Sequence, residues 1–282
     1  MGRSTCTLCF LPSHYPTLPY LPVVITHINI SNANQHAQVY DTDGNFLQAL
    51  DTLELRTLLP AFLRRVEDST PTNKTFIDLG CGTGRNTLQL MRHAPLTAQI
   101  IGLDASPGML DVAHKRIAEV DSTAGPEAAG SRVRLAVLDL LHPDPGVLAS
   151  ASADGIVSTL VLEHVPLGQF FAAVAALLKP GGYLLLTNMH AEMGAISQAG
   201  FVDPGSGRKI RPVSYAYEVG EVVAVAGESG LEVVGLDDGE GEGEGDMVRE
   251  RRVDEGMVGV LGERARKWVG VAVWFGVCFR RV

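Results

Sequence analysis

Between residues 75 and 187 short apolar runs alternate with longer amphipathic stretches. The runs at 75–79, 99–103, 133–138, 155–160 and 183–187 are rich in Ile, Val and Leu, as strands buried on both faces require. Each is followed by a helix-compatible segment, and the alternation predicts a parallel sheet covered on both sides, with any ligand at the carboxyl ends of its strands. Upstream, Phe46, Leu47, Leu50, Leu53, Leu55, Leu58 and Leu59 recur at spacings of three and four, predicting amphipathic helices within 29–65 that Asp41 or Asp43 would cap. Downstream, 221–229 reads as a helix, 231–236 as a strand, and 268–279 as a last strand interrupted by Gly270 and Gly276. The stretch 201–217, centred on Asp203-Pro204-Gly205-Ser206-Gly207, predicts a hairpin-like lid within an insertion at 188–218. Residues 1–28 are proline-rich without a period and predict an extended or disordered arm ahead of one domain, 29–282. The acidic glycine run at 239–245 reads as a solvated loop.

Composition narrows the function classes. The chain has 282 residues, 46% of them hydrophobic, enough for one large α/β domain with a lid. Its net charge of −9, with no basic cluster longer than Arg249-Glu250-Arg251-Arg252, speaks against binding nucleic acid. No apolar run approaches the roughly 20 residues that cross a bilayer. The first residues make a poor signal peptide, so no membrane association is expected and the cytoplasm is the default location. Four cysteines are too few for a disulfide framework; Cys6 and Cys9 have metal or redox spacing without a second pair to complete a site.

The chemistry concentrates in Phe76-Ile77-Asp78-Leu79-Gly80-Cys81-Gly82-Thr83-Gly84, an apolar strand that ends in an acid and runs into alternating glycines. Such glycines let the backbone turn sharply and approach a ligand closely. A dinucleotide turn reads Gly-x-Gly-x-x-Gly and presents a helix N-terminus to pyrophosphate. Here the third glycine comes one residue early, Arg85 takes the later position, and Asp78 suits an ammonium group rather than a phosphate. The pattern resembles motif I of the class I S-adenosylmethionine (SAM) dependent methyltransferases.

That resemblance covers 75–187 and implies a Rossmann-like, mostly parallel seven-stranded sheet with helices on both faces, plus N-terminal helices and a lid insertion. It implies SAM as the cofactor and a small molecule as the acceptor. Asp78 and Gly80, with Gly82 and Gly84, match the positions that hold the methionine end of SAM. Asp104, about 20 residues beyond the glycine loop, matches the acid on the ribose hydroxyls. Ala105 follows it, Met109 matches the apolar residue against adenine, and Asp139 with Leu140 matches the pair that reads the adenine amino edge. Tyr40, in Ala37-x-x-Tyr40-Asp41, resembles a tyrosine segment that closes over the methionine moiety. Val157-Ser158-Thr159-Leu160-Val161-Leu162-Glu163-His164 resembles the fourth strand and the turn bordering sulfonium and acceptor. Lys179-Pro180-Gly181-Gly182-Tyr183 matches a structural turn before the fifth strand.

A base is needed only when the acceptor arrives protonated. His164 is the first candidate, with Glu163, His190 and His36 behind it. The Asn/Asp-Pro-Pro-Tyr element of nucleobase and glutamine methyltransferases is missing after the fourth strand, and no carboxylate set resembles a catechol-type magnesium site, so no metal is expected. The segment 40–60 and the ending 267–279 resemble fungal methyltransferases of secondary metabolism, some of which methylate dithiols. This ranks a thiol acceptor first, ahead of O- or N-methylation and of a non-catalytic SAM-fold regulator. Oligomeric state is not legible.

Overall fold

The computed structural model describes residues 24–26, 45–68, 73–124, 132–150, 152–196, 201–202, 209–212, 214–236 and 247–282. In chain order its elements are β1 (Val24–Thr26), α1 (Phe46–Glu67), β2 (Thr75–Leu79), α2 (Arg85–His93), β3 (Gln99–Asp104), α3 (Pro107–Ala124), β4 (Val133–Val137), α4 (Pro145–Ser150) and β5 (Ala153–Thr159). They continue with α5 (Leu167–Leu177), β6 (Leu178–Met189), α6 (Ala191–Ile196), β7 (Phe201–Val202), β8 (Lys209–Pro212), α7 (Val219–Glu228), β9 (Leu231–Val234), β10 (Val248–Arg252), α8 (Glu255–Leu261) and β11 (Ala272–Arg281). No described helix is long and apolar enough to cross a membrane.

The main sheet has the order β10-β11-β6-β5-β2-β3-β4, with β9 also on β11. Strands β2 to β6 are mutually parallel, so their carboxyl ends share one edge of the sheet; β11 is antiparallel to β6. Alternate side chains build two cores. Phe76, Val157, Leu185 and Trp274 face α1 and Leu90 of α2, whereas Ile77, Ile156, Leu184, Leu186 and Phe275 face Phe170, Phe171 and Val174 of α5.

The sheet has eight strands where seven were expected. The eighth arises because β9 and β10 are two halves of one edge strand: Val234 pairs with Cys278 and Val248 with the adjacent Val277. The ladder therefore continues across the connection as though 235–247 were spliced out. That connection contains the acidic glycine run, which lies outside the described residues. The 268–279 expectation also shifts. Glu263–Trp268 forms a 3-10 helix, Gly270 turns the chain at φ 86°, and the strand begins at Ala272. The Pro180-Gly181-Gly182 turn lies inside β6, where the register jumps from Ala153↔Leu178 to Gly155↔Tyr183 and the extra residues bulge out at Gly181, φ 78°.

Helix α1 is capped by Asn45, whose Oδ1 accepts from the Leu47 amide at 3.1 Å, rather than by Asp41 or Asp43, which are outside the described residues. Within 188–218, β7 and β8 form the expected antiparallel pair, and β1 adds in parallel to β8, so a piece of the N-terminal segment joins the insertion.

Gly276 is required by close packing. A Cβ there would come within 2.6 Å of Trp274 Cη2, and the ring cannot swing aside because its Nε1 donates to Asp51 at 3.0 Å. Gly276→Ala should cost about 2 kcal/mol by overpacking and lower the melting temperature by several degrees; an unchanged melting curve would refute this packing.

Candidate functional site

The glycine loop leaves β2 over the carboxyl edge of the sheet. Gly80, Gly82 and Gly84 have φ of 74°, 54° and 84°, in the left-handed region that side chains disfavour. At Gly80 a Cβ would collide with Val161 Cγ2 at 2.2 Å, and at Gly84 it would press on Ala113 Cβ at 3.1 Å. At Gly82 it would meet nothing within 4 Å, so this stretch of backbone borders open space. The amides of Gly80 and Cys81 donate to the Leu103 carbonyl at 2.7 and 3.0 Å, and Arg116 Nη1 donates to the Thr83 carbonyl at 3.2 Å.

Asp104 closes β3 beside that loop. Its Oδ2 accepts from the Gly82 amide and its Oδ1 from the Ser106 amide, both at 2.8 Å. Each oxygen keeps a lone pair for a further donor. Burial raises the Asp104 carboxyl above the usual carboxylate range, opposed by those two amides and by His164. Asp78 is buried beneath the loop, its Oδ2 accepting from the Thr87 hydroxyl at 2.6 Å. Burial pushes it up to about 6, with the Thr87 hydroxyl and Arg85 pulling downward and Asp104 adding to the rise.

Ala105 follows Asp104 and is half-buried, whereas Met109, on the first turn of α3, and Leu140 are buried. Asp139 lies two residues beyond β4, its Oδ1 holding the Leu141 amide at 2.9 Å and its Oδ2 3.2 Å from His142 Nδ1. Cys81 is a small buried filler: burial first, then the neighbouring carboxylates, drive its thiol far up, so it stays protonated. Tyr40 and His36 lie outside the described residues.

The turn after β5 forms the opposite wall. Leu160 has a φ of 56°, unusual for a branched side chain, and this conformation leads directly to Val161 against Gly80. A 3-10 turn, Leu162–His164, follows. His164 Nε2 lies 4.0 Å from Glu163 Oε1, while His164 Nδ1 and Glu163 Oε2 are buried without a hydrogen-bond partner among the described residues. Burial raises the Glu163 carboxyl, with His164 opposing. The 188–218 insertion is connected here, because the Tyr215 amide donates to the Glu163 carbonyl at 2.8 Å. His190 is already engaged: its Nδ1 accepts from the Glu192 amide at 3.2 Å and its Nε2 lies 3.8 Å from Glu250.

Residues 77–186 match a family model described as a methyltransferase domain. A protein of Emericella nidulans named an uncharacterized methyltransferase is 57% identical over 258 residues, covering 86% of this chain and 87% of that relative. The chain belongs to the class I SAM-dependent methyltransferases. The methyltransferase is also 32% identical over 123 residues to the ubiquinone biosynthesis O-methyltransferase of Burkholderia lata, covering 43% of this chain and 47% of the relative. In fold it is similar to phosphoethanolamine N-methyltransferase 2 of Haemonchus contortus, solved with phosphomonomethylethanolamine and S-adenosylhomocysteine (TM-score 0.55, 17% identity, 90% of this chain and 60% of that one). A putative SAM-dependent methyltransferase of Listeria monocytogenes is similar too (TM-score 0.52, 13% identity, 79% and 98%).

Several buried polar contacts behind the cradle went unnoticed in the sequence. Asp51 on α1 is fully buried, and Arg85 Nη2 donates to its Oδ2 at 2.6 Å. Thr187 and the Trp274 indole donate to Asp51 Oδ1 at 2.5 and 3.0 Å. The signal was available: Asp51 falls on the buried phase of α1 between Leu50 and Leu55, where an acid without a partner would be costly. Glu54, on the same stripe, is matched by Arg249 at 3.2 Å and Arg251 at 2.6 Å, which gives the basic run of β10 a structural role.

The raised Asp78 value has a thermodynamic sign. Between pH about 4 and about 6 the folded chain holds a proton that the unfolded chain has released, so this group's contribution to stability falls as pH rises through that window. Asp78→Asn without ligand should therefore melt higher, relative to the unaltered chain, at pH 7.5 than at pH 4.5. An equal difference at both pH values would contradict the assignment.

Proposed function

We propose that the methyltransferase transfers the SAM methyl group to a small-molecule acceptor bound between the glycine loop, the turn after β5 and the 188–218 insertion. The observation that carries the reading is the pairing of Gly82 with Asp104: an open backbone cradle at φ 54° beside a strand-end carboxylate that spans two amides and retains acceptor capacity. Asp104 would take the ribose hydroxyls, Asp78 and the Gly80–Gly84 backbone the methionine end, and Ala105, Met109, Asp139 and Leu140 the adenine. Tyr40 is proposed to close over the methionine moiety.

When bound, SAM supplies a methyl group already activated on sulfur, so the protein's task is alignment and exclusion of water. A thiol acceptor ranks first because thiols ionise near neutral pH and need little help. His164, with an unpartnered buried Nδ1 and Glu163 beside it, is the group proposed to receive a proton from an acceptor that arrives protonated. O- or N-methylation of a small metabolite is the second reading, supported by that same pair of proton acceptors and by a relative and a fold neighbour named for those reactions. A place in fungal secondary metabolism rests on the resemblance of the segments 40–60 and 267–279.

Calorimetric titration with SAM, followed by methyl release against small thiols, phenols and amines, tests this reading. Turnover on one acceptor class identifies the atom, and saturable binding without any turnover would favour a regulator. Asp104→Ala should weaken SAM binding by about 100-fold, the loss of two charge-assisted hydrogen bonds at about 1.5 kcal/mol each; unchanged affinity would overturn the ribose assignment.

A further inference from the structure

The Asp51–Arg85 pair reaches both walls of the cofactor cradle. Arg85 is the first residue of α2, immediately after Gly84, yet its side chain turns away from the loop towards α1. Nη2 meets Asp51 Oδ2 at 2.6 Å and Thr159 Oγ1 at 3.3 Å; Nη1 meets Thr52 Oγ1 at 2.6 Å and the Gln48 carbonyl at 3.5 Å. Asn86 Nδ2 adds a 2.7 Å bond to the same Thr159 hydroxyl. Thr159 is the last residue of β5 and directly precedes Leu160 and Val161, the latter packed on Gly80. The other Asp51 oxygen is held by Thr187 on β6 and Trp274 on β11. Five elements therefore meet at one ion pair: α1 carries the carboxylate and α2 the guanidinium, β5 is tied to the guanidinium through Thr159, and β6 and β11 fix the carboxylate to the sheet.

Stability alone does not account for this arrangement. A buried ion pair is commonly matched or bettered by apolar residues of the same volume, because two charges have been taken out of water. A planar guanidinium bonded to three side chains in different directions instead specifies geometry. We propose that Asp51 and Arg85 are positioning residues of the SAM site, setting the separation between the glycine loop and the turn after β5 and coupling the docking of α1 to cofactor affinity. The inference rests on the SAM reading of the cradle. It goes beyond that reading because neither residue is assigned a contact with the cofactor: each acts through the backbone it anchors.

Binding of S-adenosylhomocysteine, measured by calorimetry alongside ligand-free melting curves, tests the proposal. Asp51→Asn alone leaves Arg85 without its counter-charge and should lower both melting temperature and affinity. Combining Asp51→Asn with Arg85→Met removes both charges. The double variant should melt higher than Asp51→Asn alone yet bind S-adenosylhomocysteine about 10-fold or more weaker than the unaltered chain. A folded double variant with affinity within about 2-fold of the unaltered chain would overturn the proposal, leaving the pair a purely structural feature. Should the double variant fail to fold, Thr52→Val decides. It removes one 2.6 Å bond of the guanidinium and keeps the ion pair, so about 3-fold weaker binding with little change in melting supports positioning, and unchanged binding overturns it. Failure of the unaltered chain to bind would instead sink the SAM reading, and this inference with it.

Discussion

The carboxylate of Asp51, fully buried between α1 and the sheet, is the contact on which the cradle's architecture depends. Burying a charge is tolerable only when it is paired and its remaining lone pairs are occupied. Asp51 satisfies both conditions with one guanidinium, one hydroxyl and one indole N–H from three separate elements. The N-terminal helix is thereby docked in one orientation. Its apolar stripe could slide by a turn at modest cost, but the carboxylate could not follow without losing every partner.

The cradle is also shaped by close approach. Gly80 has no side chain because Val161 occupies that volume, and Val161 is delivered there by the left-handed backbone of Leu160. Strain in one wall and a missing side chain in the other are complementary, and both lie at the shared carboxyl edge of parallel strands. Two acids, both raised by burial, meet this edge with different partners. Asp104 remains ligand-competent because its partners are amides that leave lone pairs free, whereas Asp78 is deeper, bonded to Thr87 and pushed up to about 6 by burial. Raised only to about 6, the deeper carboxyl is largely ionised at neutral pH, and a cation drawn to it would lower that value again.

Much of this was legible in the sequence because it is local. Apolar runs separated by helix-length segments report β2 to β6, and the Asp-x-Gly-x-Gly-x-Gly spacing reports a loop that must adopt positive φ. What escaped depends on contacts distant in sequence. Asp51 reads as one more polar residue of an amphipathic helix until Arg85, 34 residues on, and Trp274, 223 residues on, are seen beside it. The split edge strand escaped because its second half, Val248–Arg252, reads as a basic run, and a 13-residue connection separates it from β9 although the two pair with adjacent rungs of β11. The start of β11 was misjudged because apolar residues on both sides of Gly270 share a composition, while the positive φ of that glycine ends one element and aims the next.

The most direct test of the account is the crystal structure of the methyltransferase with S-adenosylhomocysteine. The account predicts the ribose hydroxyls on Asp104, the methionine end along Gly80–Gly84, the sulfur facing the turn that carries Glu163 and His164, and the Asp51–Arg85 pair intact beneath. Cofactor density away from the carboxyl edge of β2 and β3, or a ribose making no contact with Asp104, would contradict it.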